Sequence, residues 1–261
     1  MTEGFIIGLR KTGTTWLYEN FKIQPEINIS ELVKESGFLL NNRLSIAKYN
    51  SLFKNSSTNQ TRIEVETRAF ESDFTIERIS KYNKNAKVVL ILRDPSSYFI
   101  SRIVHGLRKG EINSKKPYNY VEILKNNEFL LKEYDVNKII TFNKKIKYFK
   151  IFYYEDLLID SIKFYTEILQ FITGDKNKIF YPKINERVNR ARLSKKTLIT
   201  SFYSKIAQIF RLYGLHSIVN KYRKSKMRSA LENKITISRE EILLMKNYLK
   251  KQKFKFPKKY N

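Results

Sequence analysis

Apolar residues gather along this chain in short runs that alternate with longer stretches of helical spacing. Gly4 to Gly8 is an apolar run that stops at a glycine, and Thr14 opens a helix, so the first unit is strand, loop, helix. Lys87 to Leu92 (KVVLIL) is a continuous run of β-branched character, the pattern of a strand covered on both faces of a parallel sheet. It ends at Arg93-Asp94-Pro95, where proline breaks any continuation. Tyr148 to Tyr154 (YFKIFYY) predicts a third strand, and the periodic stretch after it runs through Phe171 to a close at Thr173-Gly174-Asp175. Ile199, Phe202, Ile206, Ile209 and Phe210 predict a packed amphipathic helix over 198–212. Ser238 and Glu241 predict a capping box for a last helix through about Leu249, and the tail from about 250 to 261 reads as loosely ordered.

Strands alternating with helices predict one α/β domain over residues 1–261, a central parallel sheet flanked by helices and wound by right-handed crossovers. Ligands of such sheets sit at the carboxyl ends of the strands, where Gly8 and Arg93 both lie. A chain of 261 residues can bury a core large enough for this. With no cysteine, thiolate metal sites, disulfides and cysteine nucleophiles are excluded, and a reducing, cytoplasmic setting fits. The first apolar run, Phe5 to Leu9, is too short for a signal peptide or a membrane span. A net charge of +26, from 51 basic and 25 acidic residues, favours anionic ligands. Part of that excess follows from a composition rich in Lys, Asn, Ile and Tyr, the mark of an AT-rich genome, because scattered lysines form solvated faces.

The loop GLRKTGTTW places glycines at Gly8 and Gly13, the spacing of a P-loop in which successive backbone N–H groups turn around anionic oxygens at a helix N-terminus. Thr14 stands where a nucleoside triphosphatase loop requires lysine, and the lysine has moved back to Lys11. The loop therefore suits two linked anionic groups, with Lys11 meeting charge on an oxygen between them.

On these residues the chain resembles the sulfotransferases that use 3'-phosphoadenosine 5'-phosphosulfate (PAPS), whose 5'-phosphosulfate loop has the core Lys, small residue, Gly, Thr, Thr. In that family a strand ends in Arg-Asp-Pro and a serine follows eight residues after the arginine; here RDPSSYFIS supplies Arg93 and Ser101. The resemblance implies a P-loop NTPase-like fold, PAPS as co-substrate with no metal required, and donor contacts from Arg10, Lys11, Thr12, Gly13, Thr14 and Thr15. It further implies a 3'-phosphate grip by Arg93 and Ser101. The run after the third strand, Tyr154-Glu155-Asp156-Leu157, matches the family's YEDL segment and reads as scaffold. Asn185 to Arg192 falls where relatives carry a late basic loop, which makes Arg190 and Arg192 candidate nucleotide contacts.

His105 and His216 do not suit the position of a catalytic base, and a structural role is expected for each. Heparan-type and related bacterial sulfotransferases instead use a glutamate from a segment resembling KExxFF; Lys34-Glu35-Ser36-Gly37-Phe38-Leu39 makes Glu35 the candidate, and the resemblance implies a bacterial or viral enzyme. The family's next element, Lys-Thr/Ser-Pro-x-Tyr, corresponds to Glu66-Thr67-Arg68-Ala69-Phe70, with glutamate in place of lysine and arginine in place of proline. The expected acceptor is a hydroxyl, on a carbohydrate by this resemblance. Two other readings stay open: a P-loop kinase of nucleotides or sugars, and a basic protein tracking nucleic acid or anionic lipid through Lys221 to Arg228 and the tail. No RNA-binding signature accompanies that basic run, so nucleic acid is not the expected partner. A basic face holding anionic membrane or lipid-linked glycan remains compatible with the transferase reading.

Overall fold

The computed structural model describes residues 3–31, 33–40, 43–53, 59–115, 117–183, 192–194, 232–234 and 237–260. The stretch 198–212, His216, the basic run 221–228 and Arg190 lie outside the described residues. Five strands, β1 (Gly4–Gly8), β2 (Ile27–Asn28), β3 (Thr61–Glu66), β4 (Lys87–Leu92) and β5 (Tyr148–Tyr153), form one sheet in the order β2-β3-β1-β4-β5. Every pairing in it is parallel. The helices are α1 (Thr14–Phe21), α2 (Ile46–Asn50), α3 (Thr75–Tyr82), α4 (Pro95–Lys109), α5 (Tyr120–Lys125), α6 (Phe129–Lys132), α7 (Val136–Lys145), α8 (Tyr154–Ile159), α9 (Ser161–Thr173) and α10 (Arg239–Lys251). A short antiparallel pair, β6 (Arg192–Ser194) and β7 (Glu232–Lys234), stands apart from the main sheet.

Burial on both faces explains why the central strands are apolar without alternation. Phe5, Ile7, Val88, Leu90 and Leu92 join a cluster on one face, and Ile6, Ile63, Val65, Val89 and Ile91 join a second on the other. The second cluster takes in Leu17 and Phe21 of α1 and Ile168 and Leu169 of α9. The first takes in Phe99 and Ile103 of α4, and Met245 and Leu249 of α10.

Helix boundaries follow local chemistry. Asp94 caps α4 by accepting the Ser97 N–H at 2.8 Å, and Pro95 occupies the first helical position, where a missing N–H costs nothing. The Ser238 and Glu241 box opens α10 as its sequence predicts. The tail departs from expectation because it is packed, not loose. Phe254 meets Phe99 and Tyr134 edge-on at 5.6 and 5.9 Å. Beyond it, the Tyr260 hydroxyl donates to Glu155, and Lys259 pairs with Asp156 at 2.5 Å. Aromatic residues spaced through the lysines bind this segment to the core while the ammonium groups stay near water.

Candidate active site

The loop between β1 and α1 is shaped by two residues in left-handed conformations, Lys11 (φ 70°) and Gly13 (φ 82°). Such turns point backbone N–H groups inward as an anion-binding concavity. Gly13 is required twice over, since a Cβ there would lie 2.9 Å from Leu157 Cδ2 on a backbone that side chains rarely adopt. Thr12 is fully buried and its hydroxyl donates to the Leu9 carbonyl at 2.7 Å, so its side chain closes the loop and only its backbone is left for a ligand. Arg10 turns to Glu71 at 3.2 Å and anchors the loop to the 3-10 turn Thr67–Glu71.

Arg93 leaves β4 beside this loop. Its Nη1 donates to the Lys11 carbonyl at 3.2 Å, and its guanidinium lies 4.9 Å from the centre of the Tyr154 ring. The turn is held from behind: Tyr134 donates to the Arg93 carbonyl at 2.7 Å, and Glu155 accepts the Asp94 N–H at 3.0 Å. Glu155 and Asp156 thus act as scaffold, tying the strand exit to the C-terminal tail. Ser101 lies about two turns into α4 and is 5% exposed. Arg192 starts β6, whose backbone runs alongside α4, while Arg190 is outside the described residues.

The other wall is the segment Lys34 to Gly37, which rests on β3. Glu64 Oε1 accepts the Ser36 N–H at 3.2 Å and Glu66 Oε2 the Gly37 N–H at 2.7 Å. Both carboxyls are buried. Burial, then the charge of Glu66, pushes Glu64 up to about 8, and burial, then the charge of Glu35, pushes Glu66 up to about 7. Glu35 differs, because it accepts from the Thr67 hydroxyl and pairs with Lys34 at 3.2 Å. Burial alone would raise it, but Lys34, Thr67 and Arg68 outweigh that and hold it below the usual glutamate range. Lys34 also donates to the hydroxyls of Thr14 and Thr15, each at 3.3 Å.

Glu35 is therefore an ionised carboxylate against the loop. His105 is not a rival base: burial, then Arg108 and Lys11, pushes it down to about 2, so it stays neutral and accepts protons poorly. The sequence placed Lys34, Glu66 and Thr67 in the segments around Glu35 without giving them these contacts, and Glu64 went unnoticed. The alternation of Arg62, Glu64 and Glu66 with Ile63 and Val65 is the signal that marks β3 as a strand. Phe70, in the segment aligned with the family's acceptor element, stacks on Phe142 at 5.8 Å within the core.

The family model for the sulfotransferase domain matches residues 2–259. The chain belongs to that family. Among solved structures, the sulfotransferase from Alicyclobacillus acidocaldarius is similar with a TM-score of 0.57 at 15% identity, over 84% of this chain and 96% of that one. The sulfotransferase domain from the curacin biosynthetic pathway is similar with a TM-score of 0.50 at 11% identity, over 98% and 99%. These likenesses are of fold, and they agree with a P-loop NTPase-like domain built on a parallel sheet flanked by helices. Among the described residues no group of three metal-ligating side chains is arranged to hold an ion, and no helix is long and apolar enough to cross a membrane.

Proposed function

We propose that this sulfotransferase-family chain moves a sulfuryl group from PAPS to an acceptor hydroxyl on a carbohydrate. The observation that carries the donor reading is the bond from Arg93 to the Lys11 carbonyl, which joins two anion-binding motifs 82 residues apart into one surface. The residues fit a doubly anionic donor. Inward N–H groups and the Thr14 and Thr15 hydroxyls suit the 5'-phosphosulfate, and Arg93, with Ser101 on the next helix, suits the 3'-phosphate.

Glu35 takes the proton of the acceptor hydroxyl as that oxygen bonds to sulfur. The bond from sulfur to the oxygen it shares with the 5'-phosphate breaks, and the electron pair stays on that oxygen. Lys11 and the loop amides stabilise the charge that collects there. The carbohydrate assignment rests on the glutamate base, by resemblance to heparan-type members. A transfer assay with labelled PAPS against glycans, phenols and small alcohols tests it, repeated with a chelator. Transfer to glycans that survives chelation is expected, whereas label moving only from a nucleoside triphosphate and only with magnesium means a kinase.

A further inference from the structure

The Lys34 ammonium sits between the two halves of the site. Its three N–H groups have three oxygen partners: Thr14 and Thr15 on the donor side at 3.3 Å, and Glu35 on the acceptor side at 3.2 Å. Thr14 and Thr15 are the first two residues of α1, an eight-residue helix with no acidic residue in its first turn. A cation there opposes the helix macrodipole, which favours negative charge at that end. The arrangement makes electrostatic sense when an anion shares the place. Glu35 is one such anion, and a sulfonate held against the same threonines is a second.

Building on the PAPS reading above, we propose that Lys34 is the bridging cation of the site, one ammonium serving both the sulfonate of the donor and the Glu35 carboxylate. Its task follows from what surrounds Glu35. Glu64 and Glu66 lie beneath it on β3, Thr67 and Arg68 face it from the 3-10 turn, and the donor brings further negative charge from the α1 side. Burial and the charge of a bound donor both favour a protonated Glu35, which is useless as a base. Arg68 is half-exposed and 3.8 Å from Glu66, so its charge is shared with that neighbour. Among the described residues Lys34 is the cation in direct contact with Glu35, and it keeps the base ionised while the donor is bound. It also draws charge off the sulfonate oxygens as the acceptor oxygen approaches.

Lys34→Met and Lys34→Gln, compared with wild type, test this in two ways. Calorimetric titration without acceptor measures PAPS and 3'-phosphoadenosine 5'-phosphate, which lacks the sulfonate. PAPS affinity is expected to fall about tenfold, the size of one lost charged hydrogen bond, while the desulfated nucleotide changes by less than about twofold. The pH profile of kcat/KM for the acceptor at saturating PAPS is the second readout. Lys34 lowers the Glu35 pKa, so its removal moves the acidic limb to higher pH. Lys34→Arg restores most of both effects. Equal losses for the two nucleotides, or an acidic limb that stays where wild type has it, overturns the proposal. Wild-type protein that binds neither nucleotide would instead remove the donor reading, so the two failures are distinct.

Discussion

The loop from Gly8 to Thr15 and the segment from Lys34 to Gly37 meet at the sheet ends, yet they are built by different rules. The first follows directly on a central strand, and its form comes from backbone conformation at Lys11 and Gly13. Its partner Arg93 follows directly on the adjacent strand β4. The second has no such strand behind it. It is held by carboxylates 28 and 29 residues later in the chain, Glu64 on Ser36 and Glu66 on Gly37. The donor wall is cationic and rich in backbone N–H groups, and the acceptor wall is a buried cluster of acids. Under the proposed function a fixed donor asks for a rigid cradle and a base for a tuned charge, and these two constructions suit those separate demands.

The sharpest way to break this division is to remove one member from each wall. Glu35→Gln keeps the shape and the Thr67 contact but cannot accept a proton. A fall in kcat of about 1,000-fold, within the range of general-base losses, is expected with donor affinity nearly unchanged. Lys11→Ala should cost about 100-fold in kcat, the scale of one electrostatic stabiliser, with the donor still bound measurably. Single-turnover rates alongside calorimetry check both. If Lys11→Ala left turnover intact while Glu35→Gln abolished donor binding, the walls would have been assigned the wrong way round.

The same contrast explains what the sequence made legible. Lys11, Gly13, Thr14, Thr15 and Arg93 sit in short motifs just after apolar runs, so strand ends and the family resemblance together marked them as candidates, and the structure sets Arg93 against the Lys11 carbonyl. Thr12 was legible as part of the loop but not in its orientation, because the bond to the Leu9 carbonyl depends on how the turn closes. The acceptor wall was legible at Glu35 and, as a departure from the family's element, at Glu66 to Phe70, but its contacts were not. Glu64 and Glu66 look like solvent-facing residues, and their burial follows from backbone partners some 30 residues away that no local pattern reveals. The tail was misread for a related reason. Its lysines suggest a solvated end, while Phe254 finds its place only through contacts with α4 and Tyr134. Phe254→Ala is therefore expected to destabilise the fold by about 2 kcal/mol in chemical denaturation, less than a fully buried phenylalanine costs.

The smallest effect concerns the acids beneath Glu35, and its sign separates a tuned cluster from a chance one. Glu64 is raised from an ordinary 4.5 to about 8 in the fold, so between those values the folded protein binds a proton that the unfolded chain has released. Stability from this group is complete below about pH 4.5 and is lost as pH rises toward 8. Glu66, raised to about 7, adds a loss of the same sign over a narrower window. Wild type should thus unfold more easily at pH 8 than at pH 6. Glu64→Gln stays neutral throughout, and its side-chain carbonyl can still accept the Ser36 N–H. The variant should flatten this decline, being more stable than wild type at pH 8 by about 1 kcal/mol or more and close to it at pH 5. Melting curves across that range decide the matter. A decline as steep in Glu64→Gln as in wild type would mean that Glu64 is already charged in the fold. Lys34 would then have a second buried anion to offset besides Glu35.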